Sequence, residues 1–159
     1  MKVLLIGKTG VFDTLAVAYG CLNQTDINNC PYFGDLTLEN NKELVGIGAN
    51  KVGNELFVVG FKVPEIIAIF NRELESLSHV NQNECWQVIP LSLKGENITW
   101  LFAWLANAPL LGPMFLKWAR NRTLNRSSYL LEYGKKLRIE KNLDGKDKPD
   151  LVFAAKPHR

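Results

Sequence analysis

A short glycine-containing loop near the start of the chain combines residue types that could bind an anion. Gly7, Lys8, Thr9 and Gly10 follow an apolar run and precede a helical pattern. Where a strand passes through a tight loop into a helix, free backbone N–H groups and the helix dipole favour a bound anion. Lys8 would add a positive charge and Thr9 a hydroxyl group. The loop therefore predicts a weak site for phosphate or another small anion.

The same four residues are also typical of a plain strand-to-helix turn, in which the glycines only make the turn tight. A phosphate-binding P-loop has four residues between its first glycine and its Gly-Lys-Ser/Thr, and this chain lacks that spacing. Asp13 follows in the first turn of the predicted helix, where its charge suits the helix dipole but would repel a phosphate. Both interpretations stay open at this point.

Catalytic and metal-binding side chains show no recognisable spacing elsewhere. The cysteines are Cys21, Cys30 and Cys85, and the histidines are His79 and His158. An odd number of cysteines without Cys-x-x-Cys or Cys/His spacing argues against a disulfide framework and a zinc site, and indicates a reducing cytoplasm. We therefore predict no metal and no cofactor, and the sequence leaves open whether the protein is an enzyme.

Residues 98–116 form an uncharged stretch that is long enough to raise the question of a membrane-spanning helix. Helix-breaking and polar residues interrupt the middle of this stretch, at Asn107, Pro109, Gly112 and Pro113. Two helices joined by a turn, over residues 97–107 and 113–121, agree better with these breakers. A membrane span is accordingly not expected.

Both of these helices are apolar around most of their circumference, and a small sheet can cover only one side of them. Their tryptophans are Trp100 and Trp104 in the first helix and Trp118 in the second. If the tryptophans do not all pack in the core, one or more of them lies at the interface of a symmetric homodimer. Core packing is the competing interpretation.

Residues 117–141 hold eight basic residues and two acidic ones, although the formal net charge of the whole chain is only +3. Together with the tryptophans before it, this segment could contact an acidic partner or a lipid headgroup layer. Binding to nucleic acid is less favoured, because the aromatic and basic residues do not alternate along a strand. A solvated helix face explains the basic residues equally well.

The hydrophobic pattern predicts a single α/β domain with a small sheet covered by helices. Strands are expected at residues 2–6 and 86–91, and a hairpin at 44–48 and 55–61. Helices are expected after the first loop up to residue 22, from Thr37, at 64–78 and in the largely helical part from 97 onward. The domain is predicted to cover residues 1–140, and residues 141–159 to form a polar tail.

Several segments resemble a small family of proteins from Gram-positive bacteria known as the domain of unknown function numbered 3189. They are residues 1–3, Gly10, residues 31–37 and residues 47–60, and the resemblance covers roughly the first ninety residues and, more loosely, the tryptophan-rich helices. In the first loop only Gly10 matches the family outright, while Thr14 keeps a hydroxyl and the family's histidine is missing. The resemblance implies no particular activity.

These observations favour a non-catalytic interaction module that self-associates through the tryptophan-rich helices. One alternative is a phosphate- or nucleotide-binding protein, or an enzyme, that uses residues 7–10 for a small anionic ligand. A second alternative is peripheral association with a membrane through the tryptophan-rich and basic region.

Overall fold

The computed structural model describes residues 1–62 and 86–144, and the structural statements below concern these residues. A mixed four-stranded sheet lies at their centre, in the spatial order β2-β3-β1-β4. β1 is parallel to both of its neighbours, whereas β2 and β3 form an antiparallel hairpin. The strands are β1 (Lys2–Gly7), β2 (Val45–Ala49), β3 (Glu55–Gly60) and β4 (Trp86–Pro90). The predicted strands and hairpin are confirmed.

Five α-helices accompany the sheet in the described part of the chain. They are α1 (Leu15–Cys21), α2 (Leu36–Asn41), α3 (Glu96–Leu105), α4 (Gly112–Asn125) and α5 (Ser127–Glu140). The predicted α/β class is therefore confirmed, as is the division of the uncharged stretch into two helices joined by a turn. The helix predicted at 64–78 lies outside the described residues, and none of the described helices is long and apolar enough to span a membrane.

The chain enters α1 through one turn of π-helix, Gly10–Thr14, rather than through the regular α-helix expected from Phe12. The N–H of Thr14 donates to the carbonyl of Thr9 at 3.2 Å, five residues back. The Thr9 hydroxyl in turn accepts the N–H of Asp13 at 3.2 Å. Single π-turns of this kind are rare and concentrate at functional sites.

The main core lies between one face of the sheet and the helices, with Val3 and Leu5 of β1 completely buried there. On the opposite face, Leu4, Ile6 and Val59 form a second buried cluster. The central strand is therefore buried on both faces, as its continuous apolar run predicts.

Helix α5 packs chiefly along α1, where Gly20 and Gly134 let the two backbones approach closely. A side-chain carbon on Gly134 would lie 2.1 Å from the Val17 carbonyl oxygen. On the outer face of α3 and α4, by contrast, Leu101, Trp104 and Trp118 are exposed. Just after α5, Leu143 is completely buried, although it belongs to the segment predicted as a polar tail.

Candidate functional site

A cavity of about 390 Å³ opens where the three parallel strands end. Gly7, the last residue of β1, lines the cavity. Phe61 and Leu91, which directly follow the ends of β3 and β4, line it as well. The start of α3 forms another wall, through Glu96 and Asn97. Apolar side chains and a few polar groups thus converge on one small volume, which is typical of a ligand site.

The topology of the sheet also favours this position. After β1 the chain forms β2 and β3 on one side, and β4 then pairs with the other side of β1. Ligands in open α/β sheets bind outside the carboxyl ends of the strands where the strand order reverses in this way. The cavity lies at that reversal.

Two lysines contribute cationic groups to the cavity lining. Lys8 donates from its ammonium group to Oδ1 of Asn97. Lys62 places its ammonium nitrogen 4.5 Å from the centre of the Trp100 ring, a cation–π distance. The ammonium group of Lys8 is therefore held at Asn97 in the cavity wall, whereas that of Lys62, whose side chain is exposed, lies over the Trp100 ring.

The backbone N–H groups of the glycine loop are already occupied by carboxylates of the protein itself. Oε1 of Glu96 accepts the N–H of Lys8 at 2.6 Å and that of Thr9 at 3.2 Å. Gly7 makes this approach possible, because a side-chain carbon there would lie only 2.7 Å from the same oxygen. Glu96 thus takes the place that a bound anion would occupy at the loop.

Glu39 plays the same part on the other half of the loop. Its Oε2 accepts the N–H of Val11 at 3.0 Å, and its carboxylate also receives a hydrogen bond from the backbone of Gly10. The four consecutive N–H groups from Lys8 to Val11 therefore point at two buried glutamates. The loop thus has the predicted anion-binding geometry, and its N–H groups donate to carboxylates of the protein itself.

Burial changes the acidity of both glutamates. It raises the pKa of the Glu96 carboxyl to about 7, an effect that the N–H groups of Thr9 and Lys8 partly oppose. The charge of Asp13 raises the pKa of Glu96 further, and the charge of Lys8 lowers it. Burial also raises the pKa of Glu39, against hydrogen bonds from the loop and the charge of Lys42. Glu96 therefore changes its charge near neutral pH.

The contribution of Glu96 to stability should consequently fall as the pH rises from about 4.5 to about 7. The Glu96 pKa lies above its ordinary 4.5, so the stabilising contribution is complete below that ordinary value and is lost as the folded group ionises. Glu96→Gln keeps an oxygen for the loop and should raise the free energy of unfolding at about pH 8 by up to about 3 kcal/mol. Urea unfolding across the pH range measures this change in the free energy of unfolding, and Glu55→Gln, at an exposed position, is the control. Identical pH profiles for the wild type and Glu96→Gln would contradict the assignment.

Asp13 joins the loop region to α3 and α4 through a buried polar network. Its fully buried carboxylate accepts hydrogen bonds from the hydroxyls of Thr99 at 3.0 Å and Thr123 at 2.8 Å. The guanidinium group of Arg126 completes the network with an ion pair at 2.6 Å. Asp13 therefore acts through these partners rather than chiefly through the helix dipole, the role that sequence reasoning gave it.

The arginines of α4 also fix the backbone that carries Glu96. Arg126 donates to the carbonyl of Lys94, and Arg122 donates to that of Gly95 at 3.4 Å. These two carbonyls immediately precede α3. Arg122 and Arg126 are thus partly buried positioning residues, so the prediction of a solvated basic face is wrong at these two positions.

The residues predicted from sequence are distributed between two places. Gly7 and Lys8 line the cavity, whereas Thr9 and Gly10 are buried in the turn. Trp100 is half-buried beside Lys62, while Trp104 and Trp118 are 60% and 43% exposed on the outer face of α3 and α4. Sequence reasoning missed Glu39 and Glu96, for which the loop's need for hydrogen-bond acceptors was the only signal, and it missed Lys62, for which the sequence holds no signal.

Comparisons of the chain with protein-family models, curated proteins and solved structures gave no match. The resemblance to the Gram-positive family of unknown function stays a prediction. Within residues 1–62 and 86–144, no group of three or more His, Cys, Asp or Glu side chains is arranged to hold a metal ion.

Proposed function

We propose that the protein binds a small anionic molecule in the cavity at the carboxyl ends of the parallel strands. The observation that carries this proposal is the convergence of Lys8 and Lys62 on the lining of that cavity. Each offers an ammonium group, which is a strong donor to a carboxylate or phosphate. The cavity volume of about 390 Å³ suits a ligand of metabolite size.

The lining also indicates what else the ligand contains. Ile6, Phe61, Leu91 and Leu93 contribute apolar surface, and Ser92 and Asn97 contribute neutral polar groups. The lysines can therefore bind a small inorganic anion, and a ligand that carries an apolar body beside its anionic group gains further contacts with the lining. Its anionic group would contact the lysine side chains, because Glu39 and Glu96 already occupy the backbone N–H groups of the loop.

A thermal-stability titration with sulfate, phosphate, small carboxylates and nucleotides tests the proposal. A ligand at about one hundred times its Kd should stabilise the fold by about 2.7 kcal/mol. Lys8→Gln and Lys62→Gln should each raise the Kd by about tenfold or more, because each removes a charge-assisted hydrogen bond. The matched control is Lys51→Gln, which changes an exposed lysine in the turn between β2 and β3. A response to none of the anions, or an equal response in all variants, would overturn the proposal.

Self-association is the second candidate function, and the exposed positions of Trp104 and Trp118 are the observation that favours it. The homodimer predicted from the sequence would bury one or more of Trp100, Trp104 and Trp118. Light scattering at micromolar concentration distinguishes a dimer from a monomer. A monomer mass would remove this candidate without affecting the cavity.

A further inference from the structure

The turn between α3 and α4 and the helix faces beside it form a surface of exposed apolar side chains. This apolar tip surface consists of Leu101, Trp104, Leu110, Leu111, Met114 and Trp118, each of which is at least 39% exposed. Leu110, in the turn itself, is 91% exposed. Exposed apolar side chains that are concentrated on one turn and its two flanking helices are typical of a contact with another molecule or with a membrane.

The turn holds its leucines outward through its own backbone. The N–H of Asn107 donates to the carbonyl of Trp104 at 3.2 Å, and the N–H of Gly112 donates to that of Ala108 at 2.9 Å. Behind the turn, the ring of Trp118 packs edge-on against Phe102 and Phe115, with centroid distances of 5.6 and 5.3 Å. The leucines therefore project from a fixed support.

The chain segment that forms this surface carries only basic charged residues. No acidic residue occurs between Glu96 and Glu132, and this interval contains four basic residues, Lys117, Arg120, Arg122 and Arg126. Lys117 and Arg120 line a groove that runs along α4 from Pro113 to Leu124. Arg120 is held in place over the Phe33 ring, with its guanidinium carbon 5.2 Å from the ring centre.

This combination selects one kind of partner. Apolar side chains that include tryptophan, on a segment whose charged residues are all basic, are complementary to the headgroup layer of an anionic bilayer. In a symmetric dimer each copy would bring the same cations to the interface, with no carboxylate in this interval to pair with them. Charge complementarity therefore favours the lipid surface over a second copy of the chain.

We propose that the apolar tip surface docks on membranes containing anionic phospholipids, with Leu110 and Leu111 entering the headgroup region and Lys117 and Arg120 contacting lipid phosphates. The protein would then lie on the membrane surface without spanning the bilayer. The proposal is independent of the ligand cavity, because no residue of the apolar tip surface lines that cavity.

Vesicle sedimentation tests the proposal with the full chain. The protein should sediment with vesicles of phosphatidylcholine mixed with phosphatidylglycerol, and much less with phosphatidylcholine alone. The double variant Leu110→Ser/Leu111→Ser should weaken binding by tenfold or more, because about two buried leucine side chains are lost. Its control is Ile139→Ser, which changes a 71% exposed side chain on α5.

The contribution of the basic residues to vesicle binding is tested separately. Lys117→Gln and Arg120→Gln should each weaken vesicle binding by about fivefold, and added salt should weaken wild-type binding. Lys136→Gln, an exposed lysine on α5, is the control. No binding to the mixed vesicles, or binding that the leucine variant does not change, would overturn the proposal. A dimer mass that the leucine variant converts to a monomer mass, without vesicle binding, would assign the surface to a second copy instead.

Discussion

Replacing Asp13 with alanine should lower the free energy of unfolding by about 3–5 kcal/mol, the usual cost of removing one partner from a buried ion pair. Asp13 is fully buried, and its loss leaves the partly buried Arg126 without its carboxylate. The hydroxyls of Thr99 and Thr123 lose their acceptor at the same time. Urea unfolding, followed by circular dichroism, measures the change.

Two further variants separate the network from a general loss of packing. Asp13→Ala combined with Arg126→Met removes the unpaired charge, so the double variant should lose less stability than the sum of the two single changes. Glu132→Ala breaks the exposed pair with Lys136, whose charged atoms are 4.0 Å apart, and should cost at most about 0.5 kcal/mol. A loss below about 1 kcal/mol for Asp13→Ala would contradict the role given to this network.

The second large effect is expected from Gly134→Ala, at the closest approach of α1 and α5. The added carbon would lie 2.1 Å from the carbonyl oxygen of Val17 and 2.9 Å from the α-carbon of Gly20. Both contacts are with backbone, so the helices must separate. Overpacking of this kind costs about 1–3 kcal/mol or more, which outweighs the gain of about 1 kcal/mol in helix propensity. We expect a net loss of about 2 kcal/mol in urea unfolding.

Ser128→Ala is the matched control, because Ser128 is exposed on the same helix and its change should remain within about 0.5 kcal/mol. Gly20→Ala should resemble Gly134→Ala, since its added carbon would lie 2.2 Å from the carbonyl oxygen of Leu131. The double variant should cost less than the sum, because one separation of the helices relieves both contacts. Equal or greater stability of Gly134→Ala would show that the helices are not packed this closely.

The sheet could be predicted from sequence because its signals are local. The continuous apolar run of β1 predicts a strand buried on both faces, and the Asn- and Gly-containing turn predicts the hairpin of β2 and β3. The breakers between Asn107 and Pro113 likewise predict the turn between α3 and α4. In each case the deciding residues lie within a few positions of the element that they determine.

The candidate site could be predicted only in part, because its contacts join distant segments. The glycine loop is visible in the sequence, but the carboxylate that binds it belongs to Glu96, 88 residues after Lys8. Asp13 and Arg126 are 113 residues apart. No periodicity or spacing relates such pairs, so the sequence indicated an anion at the loop but could not show that the protein supplies the carboxylates itself.

Locating an anion by crystallography tests the central claim most directly. Selenate has the charge and shape of sulfate, and its anomalous scattering identifies its position without ambiguity from water. In crystals grown with selenate, we expect an anomalous peak inside the cavity, within hydrogen-bonding distance of the ammonium groups of Lys8 and Lys62. Selenate peaks confined to other parts of the surface, with only water between the two lysines, would contradict the account.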